Sequence, residues 1–162
     1  MPSGIFRSLT DGEYQQLIDA VPLIAILIAG ADGNINLKEK EWSQKIVKIR
    51  SYSFEYELKP IYQELDKNYI NKFESFLNSL PTDHIQRSEV ISNKLSELNK
   101  ILPKINIRNA AQLYNTYLSF AEEVAESCGG FLRMFAVSNE ENLWLGLPML
   151  DPIFYDDLEE EE

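Results

Sequence analysis

Apolar residues along this chain recur at spacings of three and four, the period of a helix with one buried face. Tyr14, Leu17, Ile18, Val21, Ile24, Ala25 and Ile28 form the first stripe, and from Leu23 to Ala29 nearly every residue is apolar. A helix that is hydrophobic on most sides belongs at the centre of a core. It opens at Thr10-x-x-Glu13, a capping box in which the hydroxyl accepts an amide and the glutamate reaches back. Pro22 lacks an amide donor and is expected to bend this helix, and Gly30 and Gly33 are expected to end it. Asn36-x-x-Glu39 is a second capping box, opening a helix with apolar positions at Trp42, Ile46 and Ile49. Further stripes run through Tyr69, Phe73, Phe76, Leu77 and Leu80, then through Ile91, Leu95, Leu98 and Leu102. Pro60, Pro81 and Pro103 punctuate them. Asn106 is placed to cap a long helix using Ala110, Leu113, Tyr114, Tyr117, Ala121, Val124 and Ala125. Ser138-x-x-Glu141 is a third capping box, ahead of Leu143, Trp144 and Leu147. No stretch alternates with the two-residue period of a strand. The pattern predicts an all-α fold.

A faint internal repeat lies inside this pattern. Ala25, Ile28, Ala29 and Gly33 match Ala121, Val124, Ala125 and Gly129. After an insertion of six residues, Ile35, Asn36, Glu39 and Trp42 match Val137, Ser138, Glu141 and Trp144. Both tryptophans thereby fall in one register of a capped helix, each expected to anchor the core. The coincidence points to a duplicated helix-loop-helix unit.

Between the first two helices stands "AGADGNINLKE", Ala29 to Glu39. It begins like a calcium loop. An EF-hand needs oxygen ligands at positions one, three and five, glycine at six and a bidentate glutamate at twelve. Counting from Asp32, Asn34 and Asn36 fit, but Leu37 and Ser43 occupy positions six and twelve. The loop is not an EF-hand. Two readings of it stay open. Asp32 can hold a tight turn by bonding nearby amides, with Glu39 completing the cap. Alternatively, Asp32, Asn34, Asn36 and Glu39 form a sparse oxygen set for calcium or magnesium, completed by water or an acid such as Glu126. So few charges imply weak binding, about 0.1–1 mM.

The stretch Ile28-Ala29-x-Ala31-Asp32-Gly33-Asn34-Ile35-Asn36-x-x-Glu39-Lys40 resembles the signature of the TerB-like family, named for tellurite resistance. Val124 to Phe131, with Val137 to Glu141, is similar to a second, degenerate copy, in which Cys128 stands where the family has Asp. The resemblance covers roughly 20 residues in each copy and leaves 51–106 matched only as further helices. It implies a compact bundle of about seven helices with two pseudo-repeated helix-loop-helix units, and a link to metal stress, with divalent cations bound through acids.

Composition narrows the picture. A length of 162 residues, 44% of them hydrophobic, suits one domain with a real core. We divide the chain into a helical domain at 1–150 and an acidic tail at 151–162. The last seven residues carry six acids, more than half of the formal net charge of -11. A like-charge block of this kind is usually solvated, and the overall acidity argues against nucleic-acid binding, which needs a basic footprint. Met149 to Tyr155, just before the block, is either a docking peptide or a flap lying on the parent core. The most apolar window, 20–31, holds Pro22 and falls short of a bilayer span, so no membrane span is expected. The single cysteine excludes an internal disulfide and suits a reducing, cytoplasmic setting.

Candidate chemistry is thin. Cys128 and His84, the only residues of their kinds, lack any context that marks a nucleophile-base pair. Glu122 and Glu126, at i and i+4, read as a solvated face. Asn139, Glu140 and Glu141 suit the positive end of a helix. Lys38, Lys40, Lys45, Lys48 and Arg50 make one helix basic, again a solvated face unless an acidic partner docks there. The expectation is a non-catalytic, cation-responsive or stress-associated protein, without catalytic residues, acting through an unidentified protein partner. The alternative is a metal-free interaction scaffold.

Overall fold

The computed structural model describes residues 2–31, 35, 37–53, 57–126 and 144–155. Among them are no strands. They form a 3-10 turn at Gly4–Phe6, then α1 (Asp11–Ala29), α2 (Leu37–Ser53), α3 (Lys59–Asp66), α4 (Tyr69–Ser79) and α5 (His84–Ser96). A single turn, α6 (Leu98–Ile101), and a 3-10 turn at Leu102–Lys104 lead into α7 (Ile107–Glu126). Six of these helices have eight residues or more, and the all-α class is as the periodicity predicts.

Local chemistry accounts for the helix starts. The Glu13 amide donates to Thr10 Oγ1 at 3.1 Å and the Thr10 amide to Glu13 Oε1 at 2.9 Å, completing the capping box. Asp83 Oδ2 accepts the Gln86 amide at 3.0 Å to start α5, and Asn106 Oδ1 accepts the Arg108 amide at 2.9 Å to start α7. Pro60 lies in the first turn of α3, where its missing donor would have had no partner. The capping boxes at Asn36 and Ser138 involve residues outside the described set, as do Gly33, Cys128, Gly129, Asn139, Glu140 and Glu141.

Helix α1 is the axle. Every residue from Ala20 to Ala29 is buried, and α1 touches each of α2 to α7. It runs unbroken through Pro22. Tyr117 clamps α7 onto it, its buried hydroxyl donating to the Leu17 carbonyl at 2.7 Å. Burial pushes the Tyr117 phenol well above its ordinary value, which keeps it a neutral donor. Among the described residues, α1 is also the one helix long and apolar enough to cross a membrane by length and composition, but 67% of its apolar window is buried inside the bundle. That burial is the signature of a core helix.

One expectation holds for an unexpected reason, and another needs correction. Gly30 ends α1 with φ -96° and ψ 4°, which is not the left-handed conformation for which a terminal glycine is usually needed. The reason for glycine is space: an added Cβ would lie 2.6 Å from Arg87 Nη2 and 2.9 Å from the Ile26 carbonyl oxygen. Helix α2 is turned away from the expected register. Its inward stripe is Glu39, Ser43, Ile46, Val47 and Arg50, while Trp42 and Ile49 are each 42% exposed. Trp42 is therefore no core anchor; Trp144 is half-buried against the core.

The segment after Trp144 returns to the bundle. Leu147 and Leu150 are buried, and Ile153 lies partly buried beside them. Asn99 holds the segment at both faces of its amide, donating to the Met149 carbonyl at 2.9 Å and accepting the Asp151 amide at 2.8 Å.

Candidate functional site

Of the four candidate cation ligands, Asp32, Asn34 and Asn36 lie outside the described residues. Glu39 is described. It sits in the first turn of α2 and is 4% exposed, so its side chain is held inside the bundle. One turn on, the Tyr69 hydroxyl donates to Ser43 Oγ at 2.9 Å, and Ser43 Oγ donates to the Lys40 carbonyl at 2.8 Å. Burial raises the Tyr69 phenol above its ordinary range. Lys40 turns outward to Glu74, at 2.6 Å.

The base of the loop carries a charge that the sequence reading did not anticipate. Arg87, from α5, is 7% exposed and donates from Nη2 to the Gly30 carbonyl at 3.1 Å. Burial pulls its pKa down and nearby Asp83 opposes this, but a guanidinium stays protonated at any ordinary pH. It thus places a fixed positive charge where the chain leaves α1, and a like charge nearby works against a divalent ion. Among the described residues, no group of three or more His, Cys, Asp or Glu side chains could hold a metal.

A second buried cation joins α2 to α7. Arg50, 5% exposed, donates from Nη1 to Tyr62 Oη at 2.9 Å and to the Thr116 carbonyl at 3.2 Å. From Nη2 it reaches Ser119 Oγ and Glu123 Oε1, each at 3.0 Å. Its guanidinium also lies 5.4 Å from the Tyr62 ring centroid and 5.7 Å from that of Phe120, within cation-π range. Burial raises the Tyr62 phenol, with Arg50 opposing. Arg50 is thus a structural strut, not part of the solvated basic face to which its neighbours belong. The 39-43-46-50 spacing was the available signal, since it traces a helical stripe through polar letters.

With its polar side inward, α2 turns apolar side chains outward. Trp42 and Ile49 are each 42% exposed and Tyr52 is 65% exposed. Lys38, Lys45 and Lys48 are exposed around them, with Glu41 the one exposed acid on the helix. Lys45 Nζ lies 5.2 Å from the Trp42 ring centroid. A shallow groove runs from Trp42 and Ile49 to Ser119 and Glu123 of α7.

The other candidates are dispersed. Glu122 and Glu126 are exposed on α7, and His84 is half-buried at the start of α5. The chain matches no family model, no curated protein and no solved structure.

Proposed function

We propose that this chain is a non-catalytic, cytoplasmic TerB-like protein that works through partners docking on α2. One observation carries the reading: an amphipathic helix whose polar stripe is buried and whose tryptophan, isoleucine and tyrosine face solvent among lysines. Exposed aromatic and aliphatic side chains grouped with cations are what interaction surfaces use. The duplicated helix-loop-helix unit is part of the same proposal. Its two cores, Ala25, Ile28 and Ala29 in α1 and Ala121, Val124 and Ala125 in α7, are buried in helices that touch. The test is cross-linking of the full chain in its own cells, beside Ile49→Glu. Ile49 is far enough out for the variant to fold, and loss of specific cross-linked species is the expected result. Identical cross-linked species from both proteins would end this reading.

The second reading keeps a weak calcium or magnesium site at Asp32, Asn34, Asn36 and Glu39, through which the protein would answer metal stress. The buried Glu39 carboxylate favours it, and the Arg87 charge weighs against it. Calorimetric titration of both metals into the wild type and Asp32→Ala decides. Heats lost in the variant support the site, and identical heats remove it.

A further inference from the structure

We propose that the aromatic-acidic C-terminus of one copy, Phe154 to Glu162, docks on the α2 face of a second copy; this rests on α2 being the partner surface. The two halves are complementary in chemistry. Phe154 is 83% exposed, and the seven residues that end the chain hold six acids. The α2 face offers Trp42, Ile49 and Tyr52 to an aromatic ring, and Lys38, Lys45 and Lys48 to acids. Five of the fifteen Lys and Arg residues fall within 38–50, which makes α2 the densest basic stretch of an acidic chain. Lys40 and Arg50 are engaged by Glu74 and Glu123. The three exposed lysines are the cations left for a visiting acid. Glu123, on the α7 side of the groove, is paired with Arg50 at 3.0 Å, and Glu41, the one exposed acid on α2, is outnumbered by the three lysines.

The aromatic contact is between copies, because Phe154 cannot reach the α2 of its own chain. Pro152 and Ile153 lie against Ile107 and Ala110 in the first turn of α7, and Asn99 pins the segment just before them. The α2 groove meets α7 at Ser119 and Glu123, roughly 14–24 Å further along the helix at 1.5 Å per residue. Phe154 follows Ile153 directly and cannot cover that distance while Ile153 keeps its place. Tail and face are also different patches, so the contact either closes as a reciprocal pair, each tail on the other copy's face, or runs head-to-tail into chains.

Sedimentation of the full chain from about 10 μM to 1 mM tests this, since weak contacts between small patches appear in that range. The average mass should rise with concentration and fall as salt is raised, because the charged part is screened. Trp42→Ala and Phe154→Ala should each weaken association about tenfold or more. Mixed together, the two variants should form a one-to-one dimer that grows no further, since one supplies an intact tail and the other an intact face. If Trp42→Ala fails to fold, the paired reversal Lys45→Glu and Lys48→Glu makes the same test on exposed side chains. A chain monomeric throughout, association indifferent to both variants, or a mixture that does not pair would overturn the proposal. A tail folded onto its own α2 would also overturn it, appearing as a monomer whose tryptophan emission shifts when 154–162 is removed. Failure here with Ile49-dependent cross-links intact leaves α2 a surface for another partner. Self-association together with unchanged cross-links removes the wider reading instead.

Discussion

Replacing Gly30 by alanine sets two physical arguments against each other, and their signs differ. With φ -96° and ψ 4°, the backbone is in a region alanine can adopt. On conformational entropy alone, Gly30→Ala should stabilise by about 0.4–1 kcal/mol. The surroundings say the reverse. The new Cβ would stand 2.6 Å from Arg87 Nη2, 2.9 Å from the Ile26 carbonyl oxygen and 3.0 Å from Ile35 Cγ1. The Ile26 oxygen cannot retreat easily, because it already accepts the Gly30 amide at 2.8 Å. Arg87 can move only by giving up its 3.1 Å bond to the Gly30 carbonyl in a site where it is 7% exposed. Overpacking costs about 1–3 kcal/mol, and a hydrogen bond from a charged donor contributes about 1.5–3 kcal/mol. These are partly alternatives, so the expected net loss is about 2–4 kcal/mol. For a chain of this size the fall in Tm is about 5–15 °C. Urea unfolding of Gly30→Ala, Arg87→Met and the double variant gives the coupling directly. The glycine substitution should cost at least about 1 kcal/mol less once Arg87 is gone, the remainder belonging to Ile26. A Gly30→Ala protein as stable as wild type, or strict additivity with Arg87→Met, would refute the close-approach argument.

The other side chains make further, separable tests. Arg50→Ala should destabilise by about 3–5 kcal/mol, because it strands buried acceptors on α3 and α7, whereas Glu123→Gln should cost less than about 1 kcal/mol, because Glu123 is 47% exposed. Chemical unfolding of both variants measures the asymmetry, and equal losses would show that the ion pair, not the buried guanidinium, holds α2 to α7. The bond from Lys104 lowers the Glu13 pKa below its ordinary 4.5, helped by the Thr10 amide. A depressed carboxylate adds stability that is present above the unfolded value and lost as pH falls through the folded one. Thermal melts of wild type and Glu13→Gln should therefore differ above about pH 5 and converge as the pH falls below 4.5; a gap that widens in acid would contradict the assignment.

How far the chain could be read depended on whether a residue's partners were near in sequence. The core run of α1, the stripe of α7 and the caps at Thr10 and Asn106 are local statements. Their partners lie within one or two turns, so spacing alone revealed them. Gly30 was read correctly as a helix end, but its reason was hidden: Arg87 is 57 residues away, and no local pattern shows a guanidinium arriving over a glycine. The candidate cation loop was readable as a list of oxygens, whereas Arg87, the cation at the carbonyl that precedes it, comes from α5 and leaves no local trace.

Helix α2 shows why a hydrophobic stripe can mislead without being illusory. Trp42, Ile46 and Ile49 do lie along one face, but a face is buried only if its neighbours prefer it to the alternatives. Here α3, α4 and α7 offer hydroxyls, a carbonyl and a carboxylate to α2, through Tyr62, Tyr69, Thr116, Ser119 and Glu123. Arg50 and Ser43 can satisfy those groups; Trp42 and Ile49 cannot. Leaving several buried polar groups unpaired costs about 1–3 kcal/mol each, comparable to the gain from burying one large apolar side chain. The helix therefore turns its polar stripe inward, and Ile46 and Val47, flanking that stripe, supply what apolar contact it needs. The exposed Trp42 and Ile49 are the consequence of that rotation. A surface produced in this way costs the fold little to keep, and it is available to whatever chemistry can use an aromatic and aliphatic pair set among lysines.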